Sequence, residues 1–384
     1  MDIKAEEVSF GSNSIARLTL ERPQALNALT TEMLSEMRKA LESWERDPRI
    51  SLVWLESGLD RAFCAGGDVK SIVMESRNGS PDFGKSFFTT EYGLDYYLHC
   101  YSKPVVCWAS GITMGGGVGL ASGCSHRLTT SSSTWAMPEV SIGFFPDVGA
   151  GYFLNQLEPG VGLFLGLTGT RISGEVTVAL GMATGLVKAE DRSSVFEVLG
   201  AISGDAKNHK MQNSGEDFFQ IVSASLSSVS SNSVPMNHIQ TESQSQLLEL
   251  RKVGRRLNQI EEYDQGYEFL SSYQFENNQN QKGRDQLLNA SGLVSRIIWS
   301  HLKRCRNLSL SEVFDLEWSL AIRLSSEPDF REGVGSVLID KDQSPRWSFS
   351  QKEMVPIGEL NRLLAPCSPH DLRGELARFY QRKT

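Results

Sequence analysis

Pro104-Val105-Val106-Cys107-Trp108-Ala109, followed after Ser110 by Gly111-Ile112-Thr113-Met114-Gly115-Gly116-Gly117-Val118-Gly119-Leu120, is the stretch that decides the fold class. A short apolar run bounded by proline and glycine fits a buried strand, and the glycine run opens an apolar helical segment. Upstream, Leu52-Val53-Trp54-Leu55 reads as a second buried strand. It leads to the loop Arg61-Ala62-Phe63-Cys64-Ala65-Gly66-Gly67-Asp68. Earlier still, Ala16, Leu18 and Leu20 alternate with Arg17 and Thr19, the pattern of a half-buried strand, until Glu21-Arg22-Pro23 breaks it. Between these strands, Met33, Met37, Leu41 and Trp44 fall on one face of a helix capped by Thr30 or Thr31, with Pro48 beyond its end. Strands alternating with helices indicate an α/β domain over residues 1–200. The Ser-rich stretch Ser223 to Ser233 marks 201–245 as a variable connection of short helices with a mobile loop. Residues 246–384 read as mainly helical. There Ser309-Leu310-Ser311-Glu312 has the spacing of a capping box, opening a helix through Ala321.

The 384 residues are 40% apolar and 22% charged, enough for a large core and a smaller second unit. Lys and Arg total 38 against 46 Asp and Glu, a net charge of −8 that speaks against nucleic-acid binding. No apolar run approaches the roughly 20 residues of a membrane span. The acidic start Met1-Asp2-Ile3-Lys4-Ala5-Glu6-Glu7 resembles neither a signal nor a transit peptide, so a cytoplasmic location is expected. Cys64, Cys100, Cys107, Cys124, Cys305 and Cys367 form no C-x-x-C pair and are expected to be reduced and mostly buried. Cys124 and His126 lack the partners of a zinc site.

Three segments carry chemistry. Ala65-Gly66-Gly67-Asp68 lets backbone turn sharply towards a ligand, though taken alone an ordinary tight turn is the favoured reading. Met114-Gly115-Gly116-Gly117-Val118-Gly119 would place unpaired amides at a helix start, able to hold a phosphate or an oxyanion. It has neither the G-K-[ST] ending of a P-loop nor dinucleotide spacing. Close packing on the sheet accounts for one or two of these glycines, less well for four in five positions. Finally, Glu139 and Asp147 stand in an apolar, aromatic stretch from Trp135 to Gly149. Poor solvation there would raise the Glu139 pKa and suit it to acid–base or nucleophilic work. Helix capping or an arginine partner would also account for Glu139, and a turn for Asp147. Gly123-Cys124-Ser125-His126-Arg127 lacks the last glycine of a nucleophile elbow, so His126 reads as structural or exposed.

Taken together, Arg22-Pro23 with Asn27-Ala28-Leu29, Ala62 through Asp68, Lys103-Pro104-Val105, the glycine run and Met137-Pro138-Glu139 resemble the crotonase (enoyl-CoA hydratase/isomerase) superfamily. Phe145-Pro146-Asp147-Val148-Gly149-Ala150-Gly151-Tyr152-Phe153-Leu154, Leu167-Thr168-Gly169 and the block from Asp329 to Trp347 narrow the resemblance to its 3-hydroxyisobutyryl-CoA hydrolase branch. The resemblance implies a ClpP/crotonase fold of repeated ββα units with a helical C-terminal region. It implies an oxyanion hole from the Gly67 and Gly116 amides and Glu139 as catalytic carboxylate. Asp147 and Glu91 would contact substrate near a 3-hydroxyl, with Gly66 and Asp68 also among the substrate-binding positions. It further implies an acyl-CoA substrate hydrolysed in valine breakdown, with CoA part of the substrate rather than a cofactor, no metal, and a homo-oligomer built on trimers. Two departures matter. Hydratases carry a second glutamate where this chain has Gly119, which disfavours hydration. Ala150 stands where the hydrolases often have glycine. The rival readings are an enoyl-CoA hydratase or isomerase and a catalytically silent acyl-CoA-binding protein.

Overall fold

The computed structural model describes residues 2–80, 82–204, 215–233 and 240–365. The chain divides into two compact units that interleave in sequence. The first holds Met1–Gly66, Tyr97–Trp135 and Ser173–Ser243; the second holds Gly67–Tyr96, Ala136–Ile172 and Gln244–Thr384.

The first unit is built on a sheet. β1 (Ile3–Phe10) and β2 (Asn13–Leu20) form an antiparallel hairpin, and Ala16, Leu18 and Leu20 are fully buried, as the alternation requires. β3 (Ile50–Ser57) pairs parallel with β2, and β4 (Ala62–Cys64) follows it in the chain. Next come β5 (Val105–Trp108), β6 (Ile112–Met114), β7 (His126–Thr130), β8 (Thr134–Ala136), β9 (Ile172–Ser173) and β10 (Gly185–Val187). The six-stranded sheet runs β1-β2-β3-β5-β7-β10 and the smaller one β4-β6-β8-β9. Every residue of β5 is buried, because a parallel strand between neighbours is covered on both faces. α1 (Thr31–Arg46) buries Met33, Met37, Leu41 and Trp44, and the Thr30 hydroxyl caps it by accepting from Met33 N at 3.2 Å.

The Ser-rich connection departs from the short helices expected of it. Gly215–Ser233 is one 19-residue helix. Phe218, Val222, Leu226 and Val229 recur at helical spacing and pack on the core of Ile15, Trp54, Trp108 and Val187. Serines hide the stripe in composition but not in period. The described residues do not test the mobile loop expected within 201–245: 205–214 and 234–239 lie outside them, as do Cys367 and everything beyond 365. Of the other cysteines, Cys64, Cys107, Cys124 and Cys305 are buried thiols and Cys100 is half-buried, in line with the reduced state expected.

The second unit is helical. α2 (Val69–Arg77) and α3 (Phe83–His99, as far as Tyr96) are its first elements. The helix Val161–Thr168 is buried on all sides. The helix Leu310–Leu324 opens with the capping box read from sequence, Ser309 and Glu312 each bonding the other's backbone. Glycines let backbone meet backbone here. A Cβ on Gly333 would fall 2.3 Å from the Ile142 carbonyl carbon, so the helix Pro328–Val334 lies directly on the turn Glu139–Ile142.

Candidate active site

Glu139, Asp147 and Glu91 all belong to the second unit, and all three are buried, at 6%, 5% and 2% exposure. Glu139 opens a single 3-10 turn that Phe144 N closes onto the Glu139 carbonyl at 3.0 Å. Asp147 sits in a tight loop in which Val148 and Gly149 take φ of 54° and 87°. Glu91 projects from α3, whose neighbouring turns carry Phe87, Phe88 and Tyr92. Aromatic rings wall the region: Phe88 stacks on Phe144 at 5.4 Å, and Phe144 meets Phe145 and Phe330 at 4.9 and 5.1 Å.

Such walls offer acids little solvation. Burial, then the nearby Asp147 charge, pushes the Glu139 carboxyl well above the ordinary range. Glu91 is raised first by burial and then by Asp147, Asp95 and Glu139. Burial brings Asp147 up to about 7, although the Tyr92 hydroxyl, donating to Asp147 Oδ2 at 2.6 Å, pulls the other way. Neither Glu139 Oε2 nor Glu91 Oε1 has a hydrogen-bond partner among the described residues, and Glu139 has no arginine ion pair there. Buried polar atoms are usually satisfied, so these two are candidates for contact with a ligand.

Gly67 opens the second unit beside Glu91. A Cβ on Gly67 would fall 2.8 Å from Phe87 Cζ and 3.2 Å from Glu91 Oε1, so no larger residue fits without displacement. Asp68 caps α2, its Oδ1 accepting from Ser71 N at 3.3 Å.

Gly66 and Gly116 belong to the first unit. Gly66 has φ +111°, and a Cβ there would stand 3.2 Å from the Met114 carbonyl and 3.5 Å from Gly116 N. Gly116 is the first residue of α4 (Gly116–Gly123), entered through Gly115 at φ 51°, so its amide has no partner within the helix. Asn27 secures the strand before Gly66: its amide donates to Ser57 Oγ at 2.7 Å and to the Phe63 carbonyl at 2.9 Å. The same turn takes up Ala65 N and donates Leu29 N to the Gly66 carbonyl. Gly119 lies buried inside α4 with no side chain to offer. His126, buried at 6% exposure, bonds Ser125 and Ser223, a structural role.

Tyr92 and Glu317 are absent from the sequence-derived set. Glu317, in the helix Leu310–Leu324, is fully buried and accepts from Gly149 N at 2.6 Å and Gly151 N at 2.7 Å.

A family model described as enoyl-CoA hydratase/isomerase matches residues 15–364. The chain belongs to that family. Its relatives include the mitochondrial 3-hydroxyisobutyryl-CoA hydrolases of Danio rerio, 33% identical over 93% of this chain and 88% of the relative, and of Bos taurus, 31% identical over 97% and 92%. Among solved structures it is similar to an enoyl-CoA hydratase from Rhodobacter sphaeroides 2.4.1 (29% identity, TM-score 0.79, 96% of this chain and 98% of that one). A carnitinyl-CoA dehydratase from Mycobacterium thermoresistibile is similar too (26%, TM-score 0.80, 96% and 97%). The crotonase fold with a helical C-terminal region is thereby established for members of this family that include the present chain. The mitochondrial names of the hydrolases give no support to the cytoplasmic expectation. Among the described residues no helix is long and apolar enough to cross a membrane.

Proposed function

We propose that this enzyme hydrolyses short 3-hydroxyacyl-CoA thioesters, 3-hydroxyisobutyryl-CoA foremost. The observation that carries the reading is the buried acid group of Glu139, Asp147 and Glu91, with one unpartnered oxygen on Glu139 and another on Glu91. The curated relatives named as hydrolases of that thioester support it.

The thioester oxygen is held by the Gly67 and Gly116 amides, an assignment taken from the matching motifs. Negative charge grows on that oxygen as the carbonyl becomes tetrahedral, and loss of one such donor typically raises the barrier by about 3 kcal/mol. Glu139 either attacks the carbonyl carbon or takes a proton from water that does. In the first route the C–S bond breaks, the CoA thiolate leaves, and water cleaves the mixed anhydride. In the second the tetrahedral intermediate expels the thiolate directly, and the proton held by Glu139 returns to sulfur. Burial makes an ionised Glu139 a stronger base than a solvated carboxylate. Asp147 accepts the substrate 3-hydroxyl and Glu91 lies beside it, with Gly66 and Asp68 among the substrate-binding positions that the motifs imply. A site built for a hydroxyl leaves polar groups unpaired with plain acyl chains. CoA enters as part of the substrate.

The solved relatives named as hydratase and dehydratase favour an alternative, addition or removal of water at a double bond. Gly119 argues against it, since the family's second acid is missing there. Glu139→Gln should abolish thiol release from 3-hydroxyisobutyryl-CoA, read by a thiol reagent, with an unchanged circular dichroism spectrum. Near-normal turnover would sink the assignment.

A further inference from the structure

We propose that Glu317 is a positioning residue for this hydrolysis, one buried carboxylate that gathers the Gly149 and Gly151 amides and so fixes the loop presenting Asp147. The inference rests on Asp147 being the substrate-contacting acid.

Glu317 Oε2 accepts from Gly149 N at 2.6 Å and Oε1 from Gly151 N at 2.7 Å, so both oxygens are engaged by one loop. His301 Nε2 stands 3.5 Å from Oε1. The loop needs holding. Val148, a β-branched residue, is in the left-handed region at φ 54°, a strained conformation for such a side chain. Two charge-assisted backbone bonds to a buried carboxylate hold the loop in that conformation. Ala150 N closes the loop on the Asp147 carbonyl at 2.9 Å, so a shift at Gly149 is passed to Asp147 within one turn. Tyr92 restrains the same residue from its side chain. Space is tight behind the loop as well: a Cβ on Gly151 would fall 2.7 Å from Cys305 Sγ and 3.0 Å from Glu317 Oε1.

Glu317 also acts on Asp147 through charge. The titratable groups around Asp147 are Tyr92 and Glu91 on α3 with Asp95 one turn on, Glu139 on the 3-10 turn, and Glu317 backed by His301. Burial is the main cause of the raised Asp147 value, and the Glu317 carboxylate adds to it. Removing that charge therefore moves Asp147 towards acid, a displacement that a purely structural filler would not produce.

The test uses the full chain with Glu317→Gln and Glu317→Asp. The Asp147 carboxyl is followed by carbon NMR, its signal identified by its loss in Asp147→Asn, and kcat and KM are measured against pH. Glu317→Gln should lower the Asp147 midpoint by about half a unit or more, because a neighbouring like charge is gone. It should also reduce kcat roughly 10- to 100-fold, the scale of a displacement of about 1 Å, with a smaller change in KM. Glu317→Asp keeps the charge but not the reach, so the midpoint stays and kcat falls. A folded Glu317→Gln protein with unaltered midpoint and kcat would overturn the proposal. Should that variant not fold, wild-type kcat in Glu317→Asp would overturn it equally. If the unaltered enzyme releases no thiol from any acyl-CoA, the hydrolase reading fails, while the Asp147 midpoint still reports on Glu317.

Discussion

Replacing Tyr92 by Phe removes a single oxygen and tests how the site sets the charge of Asp147. The hydroxyl donates to Asp147 Oδ2 at 2.6 Å, and both groups are buried. Burial also pushes the Tyr92 phenol upward, so it remains a donor throughout the working range. The ring's contacts with Phe88 and Phe314, at 5.7 and 6.1 Å, survive the substitution, so the fold has no reason to change. A hydrogen bond to an ionised group is worth about 1.5–3 kcal/mol. At 1.36 kcal/mol per unit that corresponds to roughly 1–2 units of pKa. Because the bond favours the ionised form, its loss raises the Asp147 carboxyl further above about 7. The assay is thiol release from 3-hydroxyisobutyryl-CoA as a function of pH. The acid limb of kcat/KM should move in the alkaline direction by that amount, with rates converging at high pH. An unmoved limb, or one displaced towards acid, would refute the reasoning.

Asp147 should also govern stability against pH. Its folded value of about 7 lies above the ordinary 3.8, so the native state holds a proton that the unfolded chain releases. Stability is therefore fully present below about pH 4 and falls as pH rises to 7, by on the order of 4 kcal/mol. Asp147→Asn should lessen that fall in calorimetric melting, leaving the variant more stable than its parent at pH 8; parallel pH profiles would rule this out. The same substitution should hurt hydroxylated substrates more than plain acyl-CoAs, and equal losses would assign Asp147 to the thioester or to structure. Gly67→Ala places a methyl 2.8 Å from Phe87 Cζ, overpacking that usually costs about 1–3 kcal/mol, and should lower both the melting temperature and turnover. Wild-type values for both would show that the loop has room to spare.

Much of the fold was legible because period survives composition. Ala16, Leu18 and Leu20 identified β2, and the stripe Met33-Met37-Leu41-Trp44 identified α1 with its Thr30 cap. Glu139 and Asp147 stood out as acids in an aromatic run, and both are buried with raised proton affinity. Glu91 came only through family resemblance; its local sequence, Thr89-Thr90-Glu91-Tyr92, signals nothing unusual. Glu317 carried a readable sign, since it falls on the stripe Val313, Glu317, Leu320, Leu324, where a charge is out of place. Its partners are 166 and 168 residues away, beyond any local pattern. The helix Gly215–Ser233 was obscured for a different reason. Serine dilutes the propensity signal, whereas Phe218, Val222 and Leu226 fix the helix by packing on the core.

Which bond the enzyme breaks, the thioester or one at a carbon–carbon double bond, is read directly by a single measurement. The enzyme is given 3-hydroxyisobutyryl-CoA and, separately, a short enoyl-CoA, while free thiol and double-bond absorbance are followed together. Thioester hydrolysis requires one free thiol per 3-hydroxyisobutyryl-CoA consumed, no comparable loss of the enoyl double bond, and no release in Glu139→Gln. Rapid hydration of the enoyl-CoA with no thiol from the hydroxyacyl-CoA would contradict it.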